Sequence, residues 1–290
     1  MLFRSALVLA FGCAISSGIS LAQRQQAQIV TKVPHPDHVI IVIEENKSYK
    51  QIIGNMAAQY INHLANEGAL LTQSFGVAHP SQPNYLALFS GSTHEVPDNR
   101  CLRSLSGDNL ASELRKKGLT FGIYSESMPS VGYTGCEYGH YQRKHNPAVN
   151  WQGVNITPEM NMPFNMFPSD YSKLPTISMV VPNQLNDMHD GETLDAIIQG
   201  DGWLKQNLDS YVQWARTHNS LLIVTWDEDD ESSANQIATI FVGSMVSPGR
   251  YNNRIDHYNV LRTITEMYGL PPLGRSANAK PIFEIWKRAR

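Results

Sequence analysis

Residues 39–43 read VIIVI, five consecutive β-branched side chains with no polar position between them. A strand with one face in water would alternate, so an unbroken run of this length fits a strand covered on both faces, as in the middle of a parallel sheet. Residues 120–124, 177–181, 221–224 and 237–242 read as further short, mainly apolar strands. Between them the apolar period changes to that of helices. In residues 49–65, Ile52, Ile53, Met56, Tyr60, Ile61 and Leu64 fall three and four apart, which predicts one amphipathic helix stopped by Gly68. Asp108 stands where it can cap a helix through Leu110, Leu114 and Lys117, ended by Gly118. Residues 203–215 carry Leu204, Leu208, Tyr211, Val212 and Ala215 on one face, and residues 257–268 turn Val260, Leu261, Ile264 and Met267 inward. Strands and helices in alternation predict an α/β layered domain with a mostly parallel central sheet flanked by helices. Residues 125–173 have no clear period and read as a functional loop region or a substrate lid.

With 290 residues, 42% hydrophobic and 17% charged, one sizeable core is expected, in a single domain over residues 37–290. A formal net charge of −3 and the absence of a Lys/Arg run exclude electrostatically driven binding to nucleic acid or to an anionic membrane. Arg4, an apolar run over residues 6–14 and small residues ending at Ser20-Leu21-Ala22 form the pattern of a secretory signal, residues 1–22, cleaved before Gln23. The mature chain is then periplasmic or secreted, with a polar, proline-containing linker over residues 23–36. No later stretch reaches the roughly 20 apolar residues of a membrane span. Cys13 lies inside the signal, and Ala10-Phe11-Gly12 before it is a poor match to a lipid-attachment site. Cys101 and Cys136 remain, and in an oxidising compartment an even count favours one disulfide over two free thiols.

One serine stands at a helix mouth. Pro83 belongs in a first helical turn, which places Ser81 near the N-cap of a helix continuing through Leu86, Leu88 and Phe89. Orphan amide hydrogens and the positive end of the helix dipole make that position an anion site, although a serine there can also serve only as the cap. Polar groups collect after three of the strands: Glu45 and Asn46, the run from Asp187 through His189 to Asp190, and Asp227 with Glu228. Any one of these loops alone reads as a solvated turn. In open α/β sheets, however, ligands bind outside the carboxyl ends of the strands, so the three are predicted to converge on Ser81. Their oxygens are hard donors that suit Ca²⁺, Mg²⁺ or Mn²⁺, with Zn²⁺ also possible. His189 titrates near neutrality when unperturbed and is the candidate general acid, oriented by Asp187 or Asp190. His257 is placed to contact phosphate or to cap its helix; His79 reads as structural, and Asp229 and Asp230 as solvated.

The run Pro80-Ser81-Gln82-Pro83-Asn84-Tyr85, ending at Ser90-Gly91, resembles the nucleophile segment of the bacterial and fungal phosphoesterase family of acid phosphatases and phospholipases C. That family resembles a branch of the alkaline-phosphatase superfamily, which implies an alkaline-phosphatase-like domain. The resemblance makes Ser81 the nucleophile and Asn84 the phosphate-contacting amide. Val42-Ile43-Glu44-Glu45-Asn46-Lys47-Ser48-Tyr49 resembles the first metal segment, with ligands at Glu45 and Asn46, and Thr225-Trp226-Asp227-Glu228 resembles the later one, with ligands at Asp227 and Glu228. Residues 237–243 and 256–258 resemble the C-terminal segments. Two-zinc relatives carry an Asp-His pair where this chain has Asp227-Glu228, so the glutamate implies an oxygen-rich site holding one ion.

The expected activity is that of an exported, metal-dependent phosphomonoesterase of acid-phosphatase type. It would act through a phosphoserine at Ser81 on a small phosphate monoester or a phospholipid head group, phosphoinositides included. His189 would serve as acid, Asn84, His257, Asp187 and Asp190 would bind substrate, and Ser81 would join Glu45, Asn46, Asp227 and Glu228 at the metal. Two other activities fit the same residues: a phospholipase C-type phosphodiesterase, and a non-catalytic binder of metal or phosphate.

Overall fold

The structure is a computed structural model and describes residues 32–102, 104–232 and 234–287. The predicted signal, Cys13 and the linker up to residue 31 lie outside the described residues. Along the chain the elements are β1 (His38–Glu44), α1 (Tyr49–Ile52), α2 (Gln59–Glu67), β2 (Ala69–Phe75), α3 (Ser81–Ser90), α4 (Leu110–Lys116), β3 (Phe121–Ser125), a small hairpin of β4 (Glu137–Tyr138) and β5 (Tyr141–Gln142), β6 (Asn161–Pro163), β7 (Ile177–Val181), α5 (Thr193–Ala215), β8 (Ser220–Trp226), β9 (Gln236–Gly243), β10 (Gly249–Asp256) and α6 (His257–Met267). Eight strands form one sheet in the order β10-β2-β9-β8-β1-β7-β3-β6. β9 runs against both its neighbours, β2 and β8, and every other pairing in this sheet is parallel. The domain is therefore α/β with a mostly parallel central sheet flanked by helices.

β1 occupies the middle, hydrogen-bonded to β7 on one side and β8 on the other. Its side chains alternate between two cores, as strand geometry requires. Val39, Ile41 and Ile43 pack under α3, α4 and α6, and Ile40 and Val42 pack under α2 and α5. Each fully buried side chain of this size contributes about 1.5–3 kcal/mol relative to exposure. The same alternation, continued past the strand end, sends Glu45 to the α3 side of the sheet.

All ten residues of α3 are buried, and the helix starts with Pro80 as N-cap and Ser81 as its first residue. It ends at Gly91, whose φ is +74° and where a Cβ would lie 2.0 Å from the Leu273 carbonyl oxygen. A side chain there would force the C-terminal segment away from the serine helix.

Several elements differ from what the pattern of the sequence predicts, β2 among them, which carries no strand prediction. The single helix expected over residues 49–65 is two, α1 and α2, because Gly54 turns with φ +87° and the Asn62 amide nitrogen bonds back to the carbonyls of Ile52, Asn55 and Ala58. The cap of α4 is Asn109, whose side chain accepts from Ser112 N at 2.9 Å, while Asp108 pairs with Lys116 at 2.7 Å. α5 begins ten residues before Trp203, and Gly200 sits inside it because a Cβ there would meet Met188 Cγ at 2.6 Å. β10 is a largely exposed edge strand whose polar sequence carries no apolar alternation. Residues 32–36, at the end of the expected linker, lie against the domain: Val33 is in the core, and Tyr268 OH donates to the Pro36 carbonyl at 3.0 Å.

Residues 125–173 fold as short 3-10 turns and β-fragments packed on the body, with Trp151 fully buried. Cys101 and Cys136 form a disulfide, Cα atoms 5.6 Å apart, that ties this region to the loop after α3. It closes a loop with a sequence separation of 35 residues, which on the chain-entropy account stabilises by about 4 kcal/mol. Replacing both cysteines by serine is expected to lower the unfolding free energy by that order in urea titration, and an unchanged midpoint would contradict this.

Candidate active site

β1, β7 and β8 end side by side at the carboxyl edge of the sheet, and the residues that follow meet there. The Glu45 amide donates to the Asp187 carbonyl at 2.7 Å, and the Asp227 amide to the Glu44 carbonyl at 3.0 Å. Ser81 Oγ, at the first turn of α3, lies 3.0 Å from Glu45 Oε2 and 2.9 Å from Glu228 Oε1. Its single proton serves one of these acceptors at a time. Asn46 turns back with φ +51°, a conformation asparagine tolerates better than most residues. Its amide N–H donates to Asp227 Oδ1 at 3.2 Å. One end of its carboxamide lies 3.1 Å from Glu45 Oε2 and 3.3 Å from Glu228 Oε1. Nitrogen placed there donates to both; oxygen placed there joins them around a cation. The structure thus brings together Ser81, Glu45, Asn46, Asp227 and Glu228.

His145 completes the inner group, and nothing in its sequence neighbourhood announced it. It arrives from the aperiodic segment after β5, is buried, and stacks on Tyr85 with ring centroids 5.1 Å apart. Tyr85 OH in turn donates to Glu45 Oε1 at 2.6 Å. His145 Nε2 lies 3.1 Å from Glu45 Oε1 and its Nδ1 3.4 Å from Asp187 Oδ2. Burial above all, with Lys144 and His189 nearby, holds the imidazole well below its usual pKa, so it is neutral. A neutral ring has one N–H. One of its two nitrogens therefore turns a lone pair toward a carboxylate, a contact that needs a proton or a cation between them.

The acids report the same shortage of positive charge. Burial, followed by Asp227 and Asp187, raises Glu45 well above the carboxylate range. Burial likewise raises Asp187, lifts Asp227 to about 7 and, with Asp227 beside it, lifts Glu228 to about 8. Asp187 Oδ2 and Asp227 Oδ2 have no hydrogen-bond partner among the described residues. Glu45, His145 and Asp187 present ligand atoms all within 4.8 Å of one another. Buried carboxylates gathered around one hydroxyl, with unused lone pairs, fit a divalent cation. The nitrogen of His145 makes the donor set less purely oxygen than the sequence implies.

Around this centre the other residues take positioning contacts. His79, read as structural from the sequence, has Nδ1 2.5 Å from Glu228 Oε2 and Nε2 3.5 Å from Asp229 Oδ1. Asp229 is buried rather than solvated, and the backbone amide of Asn235 donates to its Oδ2 at 2.9 Å. Asn84 spends its carboxamide on the loop before α3, accepting from Val77 N at 2.8 Å and Ala78 N at 3.1 Å and donating to the Ala78 carbonyl at 2.8 Å. Asn99 Oδ1 accepts from Gln82 N at 2.9 Å, so one amide of the helix mouth is already taken. His257 Nε2 lies 2.6 Å from the Asp227 carbonyl oxygen, and the cap of α6 is Asp256. His189 stands at the rim: Nδ1 is 2.7 Å from Asp190 Oδ1, Nε2 is 3.3 Å from Lys144 Nζ, and its amide donates to Asp187 Oδ1 at 2.8 Å. Lys47, buried, donates to the Met188 carbonyl at 2.6 Å and pins the His189 loop to the end of β1.

A serine thus stands at a helix mouth among buried carboxylates at the carboxyl edge of the sheet, on a fold that is alkaline-phosphatase-like. In agreement, the chain matches a protein in the alkaline phosphatase superfamily from Vibrio parahaemolyticus with a TM-score of 0.58 at 12% identity, covering 88% of this chain and 72% of that one. It also matches a phosphonate monoester hydrolase from Silicibacter pomeroyi with a TM-score of 0.56 at 11% identity, covering 85% and 76%. Residues 55–271 match the model of the phosphoesterase family. A phosphatidylinositol-3-phosphatase of Mycobacterium tuberculosis is 52% identical over 252 residues, 86% of this chain and 82% of that protein. A phosphate-repressible acid phosphatase of Penicillium chrysogenum is 32% identical over 233 residues, 74% of this chain; the match spans 55% of the fungal protein. The chain belongs to the phosphoesterase family, and it is a phosphatase by class.

The raised acids carry a measurable consequence. A carboxyl whose folded pKa is raised holds its proton in the native state over a pH range where the unfolded chain has lost it, so stability falls as pH rises through that range. For Asp227 and Glu228 the range runs from the ordinary carboxylate values up to about 7 and about 8. His145 acts oppositely, but only below about pH 6.5, its ordinary value. The chelated protein should therefore lose melting temperature from pH 6.5 to 8, and added Mg²⁺ or Mn²⁺ should restore it most at pH 8. A melting temperature flat across that window and indifferent to the ion would contradict the assignment.

Proposed function

We propose that the chain is an exported, metal-dependent phosphomonoesterase that forms a phosphoserine at Ser81 and acts on phosphoinositide monoesters. The observation that carries this reading is the position of Ser81 Oγ, within hydrogen-bond reach of Glu45 and Glu228 at the start of a buried helix. The similarity to a protein named phosphatidylinositol-3-phosphatase supports the substrate class, and the disulfide supports export. Among the described residues no helix is long and apolar enough to cross a membrane.

Glu45, Asn46, Ser81, Asp227 and Glu228 would hold the cation, with Asp187 and His145 beside them. The mainly oxygen donors of Ser81, Asn46, Glu45 and Glu228, gathered within 2.9 to 3.3 Å of their neighbours, support a hard ion such as Mg²⁺ or Mn²⁺. Such an ion supplies positive charge that favours ionised Ser81 and offsets the charge of the phosphoryl oxygens.

The residues then divide the work. Ser81 passes its proton to Glu45 or Glu228, the acceptors it already faces. Its oxygen attacks phosphorus in line, the bond to the ester oxygen breaks, and the electron pair leaves with the alcohol, which takes a proton from His189 at the Lys144 side of the site. In the second displacement, water gives a proton to His189 and attacks phosphorus. The bond to Ser81 breaks, and Ser81 recovers its proton from the carboxylate. Asn84 acts on this chemistry by fixing the turn that aims Ser81, and His257 by holding the Asp227 backbone.

Acid quenching of enzyme turning over a phosphorus-labelled monoester should leave label on the wild type. Ser81→Ala should carry none, with kcat lower by at least about 10³-fold. Label on Ser81→Ala at the wild-type level would rule out the serine as nucleophile. A chiral phosphate monoester should be transferred with net retention at phosphorus, the outcome of two in-line steps; inversion would mean direct attack by water.

A further inference from the structure

A cluster of positive charge lies away from the catalytic centre, at the outer edge of the sheet. β10, the start of α6 and residues 274–284 enclose a cleft of about 670 Å³ whose lining includes Arg254, Arg275 and Lys280. Among the described residues none of the three makes an ion pair, although several other exposed cations, such as Arg100, Lys116 and Lys173, do. The two carboxylates of the lining are engaged otherwise. Asp256 Oδ1 caps α6, accepting from Tyr258 N at 2.8 Å, and Glu284 Oε2 accepts from Phe283 N at 2.9 Å. Tyr258, also in the lining, is 8% exposed, and its phenol faces the Arg275 guanidinium.

The cleft is held in shape by the backbone. Arg275 N donates to the Gly91 carbonyl at 2.7 Å, fixing one wall to the end of the serine helix. Asn259 Nδ2 donates to the Lys280 carbonyl at 3.0 Å, and Ile282 N to Thr263 Oγ1 at 2.9 Å, fixing the other wall to α6. Arg254 is placed by an aromatic face, its guanidinium carbon 3.7 Å from the Phe75 ring centroid. Two guanidinium groups, an ammonium and a phenol around one cleft match the oxygens of a phosphate group, which accept charge-assisted and bidentate hydrogen bonds.

We propose that this cleft is a second phosphate-binding site, separate from the Ser81 centre and independent of the chemistry assigned to it. The phosphate is either the non-reacting diester phosphate of a phosphoinositide head group or free inorganic phosphate. The test uses the full folded chain and an Arg275→Gln/Lys280→Gln variant, with Arg275→Lys as the charge-keeping control. Both residues are exposed, so folding is checked by the thermal melt and by turnover of nitrophenyl phosphate. Calorimetric titration with inorganic phosphate should give one site fewer in the double variant than in the wild type, and the control should keep the site. Unchanged stoichiometry in the double variant overturns the proposal. The source is read from kinetics. An increase of about tenfold in KM for phosphatidylinositol 3-phosphate in phosphatidylcholine vesicles, with KM for nitrophenyl phosphate unchanged, assigns the site to the head group. Loss of the non-competitive part of phosphate inhibition, with both KM values unchanged, assigns it to free phosphate. Loss of turnover in Ser81→Ala bears on the catalytic assignment alone and leaves this titration unaffected.

Discussion

Glu45, Asp187, Asp227 and Glu228 crowd one another in a volume closed to water, and this repulsion is the constraint on which the rest of the site depends. Two unit charges about 4 Å apart in a protein of effective dielectric near 20 repel by about 4 kcal/mol. Four carboxylates so placed cannot remain ionised together without compensation. The chain supplies little of it. Lys47 donates to the Met188 carbonyl and burial holds its ammonium below its usual pKa, Lys144 stands at the rim beside His189, and the buried His145 imidazole is neutral. Protons can relieve the strain in the free protein, but a divalent ion relieves it while leaving the oxygens available to Ser81. The metal is thus proposed on the electrostatics of the fold rather than on one motif.

The fold creates that crowding by simple means. Parallel strands begin and end together, so whatever follows β1, β7 and β8 in sequence is delivered to the same edge. β1 is rigid because its residues are buried on both faces, and its alternation decides that Glu45, rather than Glu44, faces α3. The serine helix is buried along its whole length and jammed at Gly91 against Leu273, so Ser81 has little freedom to drift from the acids. The cleft formed by Arg254, Arg275 and Lys280 shares this frame, since its wall hangs from the carbonyl of Gly91, whose amide closes α3 on the Ala87 carbonyl. The proposed cation site at the centre and the proposed phosphate site at the edge are thereby fixed in relation to each other by one helix.

Much of this was legible in the sequence because it lies next to regular structure. The VIIVI run marks β1, so Glu45 and Asn46 are a strand end; LLIV does the same for Asp227 and Glu228, and Pro83 marks the first turn that presents Ser81. His145 was not legible, because residues 143–151 have no period and reach the site only through tertiary packing around Trp151. Tyr85 was hidden in the opposite way: its buried ring reads as core, and only coordinates show its hydroxyl on Glu45. The length of α5 was masked by Gly200 and Gly202, which look like breaks until Met188 is seen to need the space at Gly200. β10 escaped notice because an exposed edge strand has no apolar face to leave a pattern. Asn84, taken from resemblance as a phosphate contact, is bonded to the backbone of residues 77–80, a use that no motif discloses.

The most direct test of the central claim, that one hard cation sits among these residues within reach of Ser81, is anomalous diffraction from crystals grown with Mn²⁺. The account predicts a strong peak bonded to oxygens of Glu45, Asn46, Asp227 and Glu228 and in contact with Ser81 Oγ. An active enzyme whose crystals place the ion elsewhere, with these carboxylates facing only one another, would contradict it.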